Sequence, residues 1–135
     1  MTKQRVVVDS NVVVSALVVP KSTPGRALSQ AVHSAVLIVN SSMIRELAEV
    51  LARPKFDRYV SLEQRKHFLS LLLESSEIAP TITVVTTCRD PKDNHVLEAA
   101  ENGSAEVIIT GDTDLLDLNP FHGIRILTPI EYLEQ

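Results

Sequence analysis

Val6-Val7-Val8-Asp9-Ser10-Asn11 is an apolar run without alternation that stops on a carboxylate. A strand covered on one face alternates apolar and polar residues, whereas a run apolar at every position suits a strand buried on both faces, as in a parallel sheet between helices. Val36 to Val39, Ile82 to Val85, Val107 to Ile109 and Ile124 to Leu127 have the same composition, and with Arg5 to Val8 they are the strand candidates. The stretches between them have helical period and readable starts. Thr23-Pro24 and Asp90-Pro91 place a cap ahead of a proline, Ser61 with Gln64 forms a capping box, and Thr128-Pro129-Ile130-Glu131 carries both signals. The helix of Leu62, Leu69, Leu72 and Leu73 reads as a structural cover, and Asn102-Gly103 should end the helix that Asp90 begins. Strands alternating with helices predict an α/β layer fold with right-handed crossovers, with no repeat and no low-complexity segment.

The 135 residues predict a single domain, 1–135, able to bury about two-thirds of its unfolded surface. A net charge of -4 argues against a protein that coats nucleic acid through bulk positive charge, while leaving room for local basic patches. The one cysteine, Cys88, can form no intramolecular disulfide and no zinc cage, so it reads as a packing residue of a cytoplasmic protein. Lys3 and Arg5 precede an apolar run as in a signal peptide, but Asp9, Ser10 and Asn11 interrupt it at once. No stretch approaches the ~20 apolar residues of a membrane span.

Four carboxylates stand where strand ends or helix beginnings bring them to one edge of such a sheet, where open α/β folds bind their ligands: Asp9, Glu46, Asp93 and Asp112. Between about Ser42 and Arg53, Ile44, Leu47, Ala48 and Leu51 form an apolar stripe, and Arg45 and Glu49 an outward pair. Glu46, three residues after Met43 and four before Val50, falls on the edge of the buried stripe. Val96, Leu97 and Ala100 follow Asp93 at three, four and seven, so Asp93 faces inward, while Asn94, Glu98 and Glu101 face out. Singly, Asp9 and Asp93 suit a helix start, and Asp112 and Asp114 a turn. Glu46 has no such local role, and a buried carboxylate needs a cation, a donor or a wet crevice. Together the four predict a shared site for a hard cation, Mg2+ or Mn2+. Such ions activate water and stabilise charge on a phosphodiester, which suggests hydrolysis of nucleic acid.

The same residues resemble the PIN-domain nucleases, including single-domain bacterial and archaeal members assigned as toxins of toxin-antitoxin pairs. The resemblance spans essentially the whole chain. It rests on Val-Val-Val-Asp9-Ser-Asn11, Glu46, Asp90-Pro-Lys-Asp93-Asn-His-Val-Leu-Glu-Ala-Ala and Thr110-Gly-Asp112-Thr-Asp114-Leu-Leu, whose order and spacing are more specific than any one segment. It implies a three-layer α/β/α sandwich with a central parallel sheet of about five strands in the order 3-2-1-4-5. The activity it implies is an Mg2+- or Mn2+-dependent endoribonuclease acting on single-stranded RNA, with an antitoxin partner and a homodimer as further expectations. Asp9, Glu46, Asp93 and Asp112 match the family's metal-binding catalytic quartet, Asp114 a frequent fifth member, and Asn11 and Thr110 its supporting polar positions.

Arg89 and Lys92 flank Asp93 and are the best-placed candidates for substrate phosphates; Arg26, Arg53, Lys55 and Arg58 read as surface. His33, His67, His95 and His122 lack metal-ligand spacing, and only His95 stands near enough to Asp93 to meet substrate. Two other classes compete. A phosphotransfer domain shares the first Asp, but a phosphatase wants a second Asp where Asn11 stands and a receiver wants one after its third strand, where Thr86 and Thr87 stand. A non-catalytic PIN-like module binding RNA or protein has no need of an intact acidic quartet.

Overall fold

The computed structural model describes residues 3–135. The chain runs β1 (Gln4–Val8), α1 (Ser10–Val18), α2 (Thr23–Ser34), β2 (Ala35–Val39), α3 (Ser41–Leu51), a 3-10 turn (Pro54–Phe56), α4 (Leu62–Glu74), β3 (Ser76–Ile78), α5 (Pro91–Asn102), β4 (Val107–Ile109), α6 (Thr113–Leu116), β5 (Arg125–Leu127) and α7 (Pro129–Glu134). The strands form a five-stranded sheet in the order β3-β2-β1-β4-β5, every pair parallel, with helices on both faces. No helix among the described residues is long and apolar enough to cross a membrane.

The apolar runs lack alternation because each face has its own core. Val6, Val8, Leu37, Val107 and Ile109 pack with Val12 and Val13 of α1, Ala27 and Leu28 of α2, Leu72 of α4 and Tyr132 of α7. Val7, Ile38, Ile108 and Ile126 point the other way, onto Val96, Leu97 and Ala100 of α5 and Leu115 of α6. Helix α3 contributes to both cores, Met43 to the second and Leu47 and Leu51 to the first. Its buried stripe is therefore Met43, Leu47 and Leu51, and Ala48, expected inside, is exposed.

The third strand is the larger correction. Ile82 to Val85 is not in the sheet, and Ile82 and Val84 are 76% and 70% exposed. The strand is instead Ser76–Ile78, paired with β2 from Leu37↔Ser76 to Val39↔Ile78. The backbone of residues 83–88 finds its partners on α5. Asn102 accepts from the Thr83 N–H at 2.9 Å and donates to its carbonyl at 3.0 Å; Glu98 accepts from the Val85 N–H at 2.9 Å; Asn94 accepts from the Cys88 N–H at 2.8 Å and donates to its carbonyl at 3.3 Å. Spaced four apart on one helix face, these three side chains do for the segment what a neighbouring strand would do. Asn94 and Glu98, expected to face solvent, are half-buried under it.

Ser61, Asp90 and Thr128 cap their helices through side-chain oxygens as expected, and Ser61 with Gln64 and Thr128 with Glu131 form complete capping boxes. Helix α2 starts one residue earlier than expected, with Ser22 rather than Thr23 as its cap, and Asn40 caps α3. Helix α5 ends at Asn102, but Gly103 is there for room rather than for a left-handed backbone: a Cβ on it would meet Ile38 Cγ2 at 2.4 Å. Ser104, with φ 53°, takes the left-handed position.

Arg65 of α4 is 1% exposed and donates to the carbonyls of Leu51 at 2.9 Å and Arg53 at 3.0 Å, and to the Asp57 carboxylate. It satisfies the Leu51 carbonyl that α3 leaves open at its C-terminal end, where a cation is also favoured by the helix dipole, and grips the turn that follows through Arg53.

The strap over α5 gives a direct test. Asn94→Ala strands a part-buried N–H and should cost about 1–2 kcal/mol, seen as a fall of a few degrees in Tm. Amide exchange at Cys88 should accelerate more than at Val7 or Ile108. Unchanged exchange at Cys88 would mean that Asn94 does not hold the segment.

Candidate active site

The sheet order places the reversal of strand order between β1 and β4, and the register Val8↔Ile109 puts the residues that follow, Asp9 and Thr110, side by side at the C-terminal edge. Asp9 continues the ladder, its N–H donating to the Ile109 carbonyl at 2.9 Å. It occupies the cap position of α1 without its side chain capping the helix. The carboxylate instead accepts from the Thr110 hydroxyl at 2.8 Å, and that hydroxyl accepts from the Asp112 N–H at 3.0 Å. One buried threonine thus ties both carboxylate-bearing loops together. Asp112 caps α6 by accepting from the Asp114 N–H at 2.9 Å, which turns Asp114 toward the same side.

Asp93 arrives from the third residue of α5 and is 6% exposed. Its carboxylate, with those of Asp112 and Asp114, offers oxygens that all lie within 4.8 Å of one another. Burial, followed by the negative charges of Asp112 and Asp90, pushes the Asp93 carboxyl up to about 6. Asp9 is likewise raised, by burial above all, against the lowering effect of the Thr110 hydrogen bond. A set of hard oxygen donors whose members raise one another's affinity for protons is one that a divalent cation would relieve, and Mg2+ or Mn2+ fits it by ligand type.

Glu46 approaches from α3. It is half-buried on the margin of the Met43, Leu47 and Leu51 stripe, whereas Glu49 is exposed. Burial raises its carboxyl, the Lys92 charge opposes that, and the Asp9 charge adds to it, so Glu46 belongs to the same electrostatic neighbourhood. It lies outside the trio of mutual ligand distance, as does Asp9. What sets α3 against α5 is Asn40, which sequence reasoning missed: its Oδ1 caps α3 at the Met43 N–H and its Nδ2 donates to the His95 carbonyl at 3.0 Å. An Asn before Ser41 is a legible cap; the long-range bond has no local signal.

The other candidates fall at different distances. Asn11 is exposed on α1 and lines a shallow groove with Gly111 and Pro129. Arg89 is exposed and reaches Asp114 only at 3.4 Å. Lys92 is exposed, its charge felt by Glu46. His95 is half-buried, with an Nδ1 that has no partner among the described residues. Cys88 is half-buried, its thiol pushed up by burial and then by Asp93 and Asp112. The residue after β3 is Ala79, so a receiver's phosphoacceptor is missing there as well.

A family model described as "PIN domain" matches residues 5–114, which hold all of these carboxylates. The chain belongs to the PIN domain family. The uncharacterized protein MJ1680 of Methanocaldococcus jannaschii is 32% identical over 146 aligned positions, covering 98% of this chain and 92% of that protein. Two solved structures share the fold at low identity. VapBC2 from Rickettsia felis, bound to a DNA fragment from its promoter, aligns with a TM-score of 0.62 at 12% identity, over 93% of this chain and 98% of that one. PAE2754 from Pyrobaculum aerophilum aligns with a TM-score of 0.63 at 14% identity, over 98% and 91%.

The Asp93 carboxyl makes the metal-free protein sensitive to pH with a definite sign. Its folded value of about 6 lies above its ordinary 3.8, so the folded state holds the extra proton between them. The associated stability is fully present below about 3.8 and is lost as pH rises through about 6. In EDTA, Asp93→Asn should therefore melt above the wild type at pH 7, and that advantage should shrink as pH falls toward 4. An offset in Tm that stays constant across this range would remove Asp93 from the cluster.

Proposed function

We propose that the protein is a metal-dependent endoribonuclease that hydrolyses phosphodiester bonds of single-stranded RNA, with Asp9, Glu46, Asp93 and Asp112 as its catalytic and metal-binding residues. The observation that carries this reading is the convergence of Asp93, Asp112 and Asp114 oxygens beside a threonine-held Asp9, at the crevice where the strand order reverses. Membership in the PIN domain family supports a nuclease over a phosphotransfer domain, and the buried, mutually repelling carboxylates support catalysis over a passive binding module.

In this reading Asp9 and Asp93 hold the principal ion, Mg2+ or Mn2+, with Glu46, Asp112 and Asp114 completing the site directly or through water. A bound divalent ion supplies an activated water and charge stabilisation at the phosphate. The chain's own contribution is placement. Thr110 fixes the Asp9 carboxylate and the Asp112 loop in one hydrogen-bonded unit, as outer partners of metal ligands do. Asn11 stands at the mouth to orient a carboxylate or water, and Glu46 and Asp112 accept hydrogen bonds from the attacking water. Arg89 and Lys92, exposed at the start of α5, meet the phosphates on either side of the scissile one. The narrower reading is the toxin of a toxin-antitoxin pair, in a cytoplasmic setting, and the fold shared with VapBC2 supports it.

Cleavage of a labelled single-stranded RNA should require Mg2+ or Mn2+ and stop in EDTA. Asp9→Asn and Asp93→Asn should each remove at least ~100-fold of the rate, about 2.7 kcal/mol of transition-state stabilisation. Full activity in EDTA, or in either variant, would refute the assignment.

Glu46 and Glu49 make a second, internal comparison. Glu46→Gln should abolish cleavage with little change in Tm, whereas Glu49→Gln on the exposed face of α3 should turn over nearly normally. Equal behaviour of the two would show that position on the helix does not decide the role of Glu46.

A further inference from the structure

The turn between α3 and α4 carries three cations, Arg53, Lys55 and Arg58, all exposed, in a protein whose net charge is -4. Among the described residues none of the three has an ion-pair partner, while Asp57, the acid between them, is already paired with Arg65. Tyr59 stands among them with 63% of its surface exposed. The cations lie against the rings, Lys55 Nζ 5.2 Å from the centroid of Phe56 and the Arg58 guanidinium 5.8 Å from that of Tyr59.

This turn is held, not loose. Phe56 is buried beneath it, and the N–H groups of Tyr59 and Val60 both donate to the Phe56 carbonyl at 3.0 Å. The buried Arg65 grips it from below through Leu51, Arg53 and Asp57. A fully buried guanidinium is costly to desolvate, and here its bonds go to the turn and to the end of α3 that leads into it. The outcome is a rigid display of separated positive charges around an exposed aromatic ring, the combination that recognises single-stranded nucleic acid: cations along the backbone and a ring on which any base can stack. An acidic protein partner would satisfy the charges but leaves the exposed ring among them without a role.

The turn also lies on a route to the carboxylates. Glu46 stands five residues before the end of α3 at Leu51, about 7.5 Å along its axis, and the turn begins just beyond that end. The carboxylate crevice repels phosphate, so a strand presented to it has to be held by cations outside it.

We propose that Lys55, Arg58 and Tyr59 form a docking platform for single-stranded RNA beside the carboxylate crevice, with Tyr59 stacking on a base and the two cations contacting phosphates. The choice of RNA as the strand rests on the endoribonuclease reading. The platform itself binds without metal and without cleavage.

The test is the affinity of a fluorescein-labelled oligouridylate in EDTA, measured by anisotropy over a range of KCl concentrations. Tyr59→Ala should weaken binding about five-fold or more, and Tyr59→Phe should bind as the wild type. The Lys55→Ala, Arg58→Ala double variant should lower the slope of log K against log salt by about 1.4, two contacts at about 0.7 each. Lys21→Ala, in the turn between α1 and α2, should change nothing. Wild-type binding by both Tyr59→Ala and the double variant, an equal loss in Lys21→Ala, or no binding by the wild type would overturn the platform. If the wild type binds as described yet cleaves no RNA with Mg2+ or Mn2+, the endoribonuclease reading falls and the platform stands. If it cleaves RNA while the platform variants bind normally, the platform alone falls.

Discussion

The pairing of β1 with β4 in the register Val8↔Ile109 is the constraint on which the rest depends. Each strand residue belongs to one of two cores, so a slip of one residue would turn Val7 toward α1 and α2 and move Val6 and Val8 under α5. It would also separate Asp9 from Thr110. Their hydrogen bond, buried and to a carboxylate, is of the stronger kind, about 1.5–3 kcal/mol. The register that fills both cores is thus the register that assembles the site. No additional instruction is needed to bring the first strand's carboxylate beside the fourth strand's loop.

Concentrating negative charge at that edge opposes folding, and the structure spreads the opposition over independent supports. Asp93 sits in the first turn of α5, where the helix dipole favours an anion. Asp9 has the Thr110 hydroxyl, Asp112 serves α6 as its cap, and Glu46 has the charge of Lys92 nearby. None of these removes the burial and the repulsion that act on Asp93, whose carboxyl remains raised to about 6. The local roles that made Asp93 and Asp112 look structural in the sequence are real, whereas Asp9 caps nothing with its side chain and is held by Thr110. Such supports are the means by which an acidic cluster is tolerated, so the structural account of these residues and the proposed catalytic one are complementary.

Most of the fold was legible because its signals are local: unbroken apolar runs for four of the strands, and caps and prolines for the helices. The third strand was not. Ser76–Ile78 has a single apolar residue and follows α4 almost without a break, whereas Ile82 to Val85 has the composition of a strand and is held by α5 side chains. Composition records what a segment can pair with, not which partner is in reach. Helical phase placed Glu46 on the margin of its helix correctly and put Ala48 inside wrongly, since α3 feeds two cores and its buried stripe starts from Met43. Arg65 could have been found by the same phase, because Phe68, Leu69 and Leu72 follow it at three, four and seven. A charge on an apolar stripe is the same pattern that Glu46 shows on α3.

Asn40 and Arg65 act at opposite ends of α3. At the start, Asn40 bonds to the His95 carbonyl on α5; at the end, Arg65 takes the Leu51 and Arg53 carbonyls from α4. A helix fixed at one end can pivot, and a half-buried carboxylate in its second turn would then drift relative to Asp93. Fixed at both ends, α3 holds Glu46 against α5 whether or not the carboxylates attract anything between them. Replacing Arg65 by an apolar residue of similar size would remove a desolvated charge, which alone is often neutral or favourable. It would also leave the Leu51 carbonyl without a donor at the end of a helix, and that loss has no apolar remedy. The buried arginine is therefore retained for position more than for stability, and the position it defends is that of α3 with Glu46 upon it.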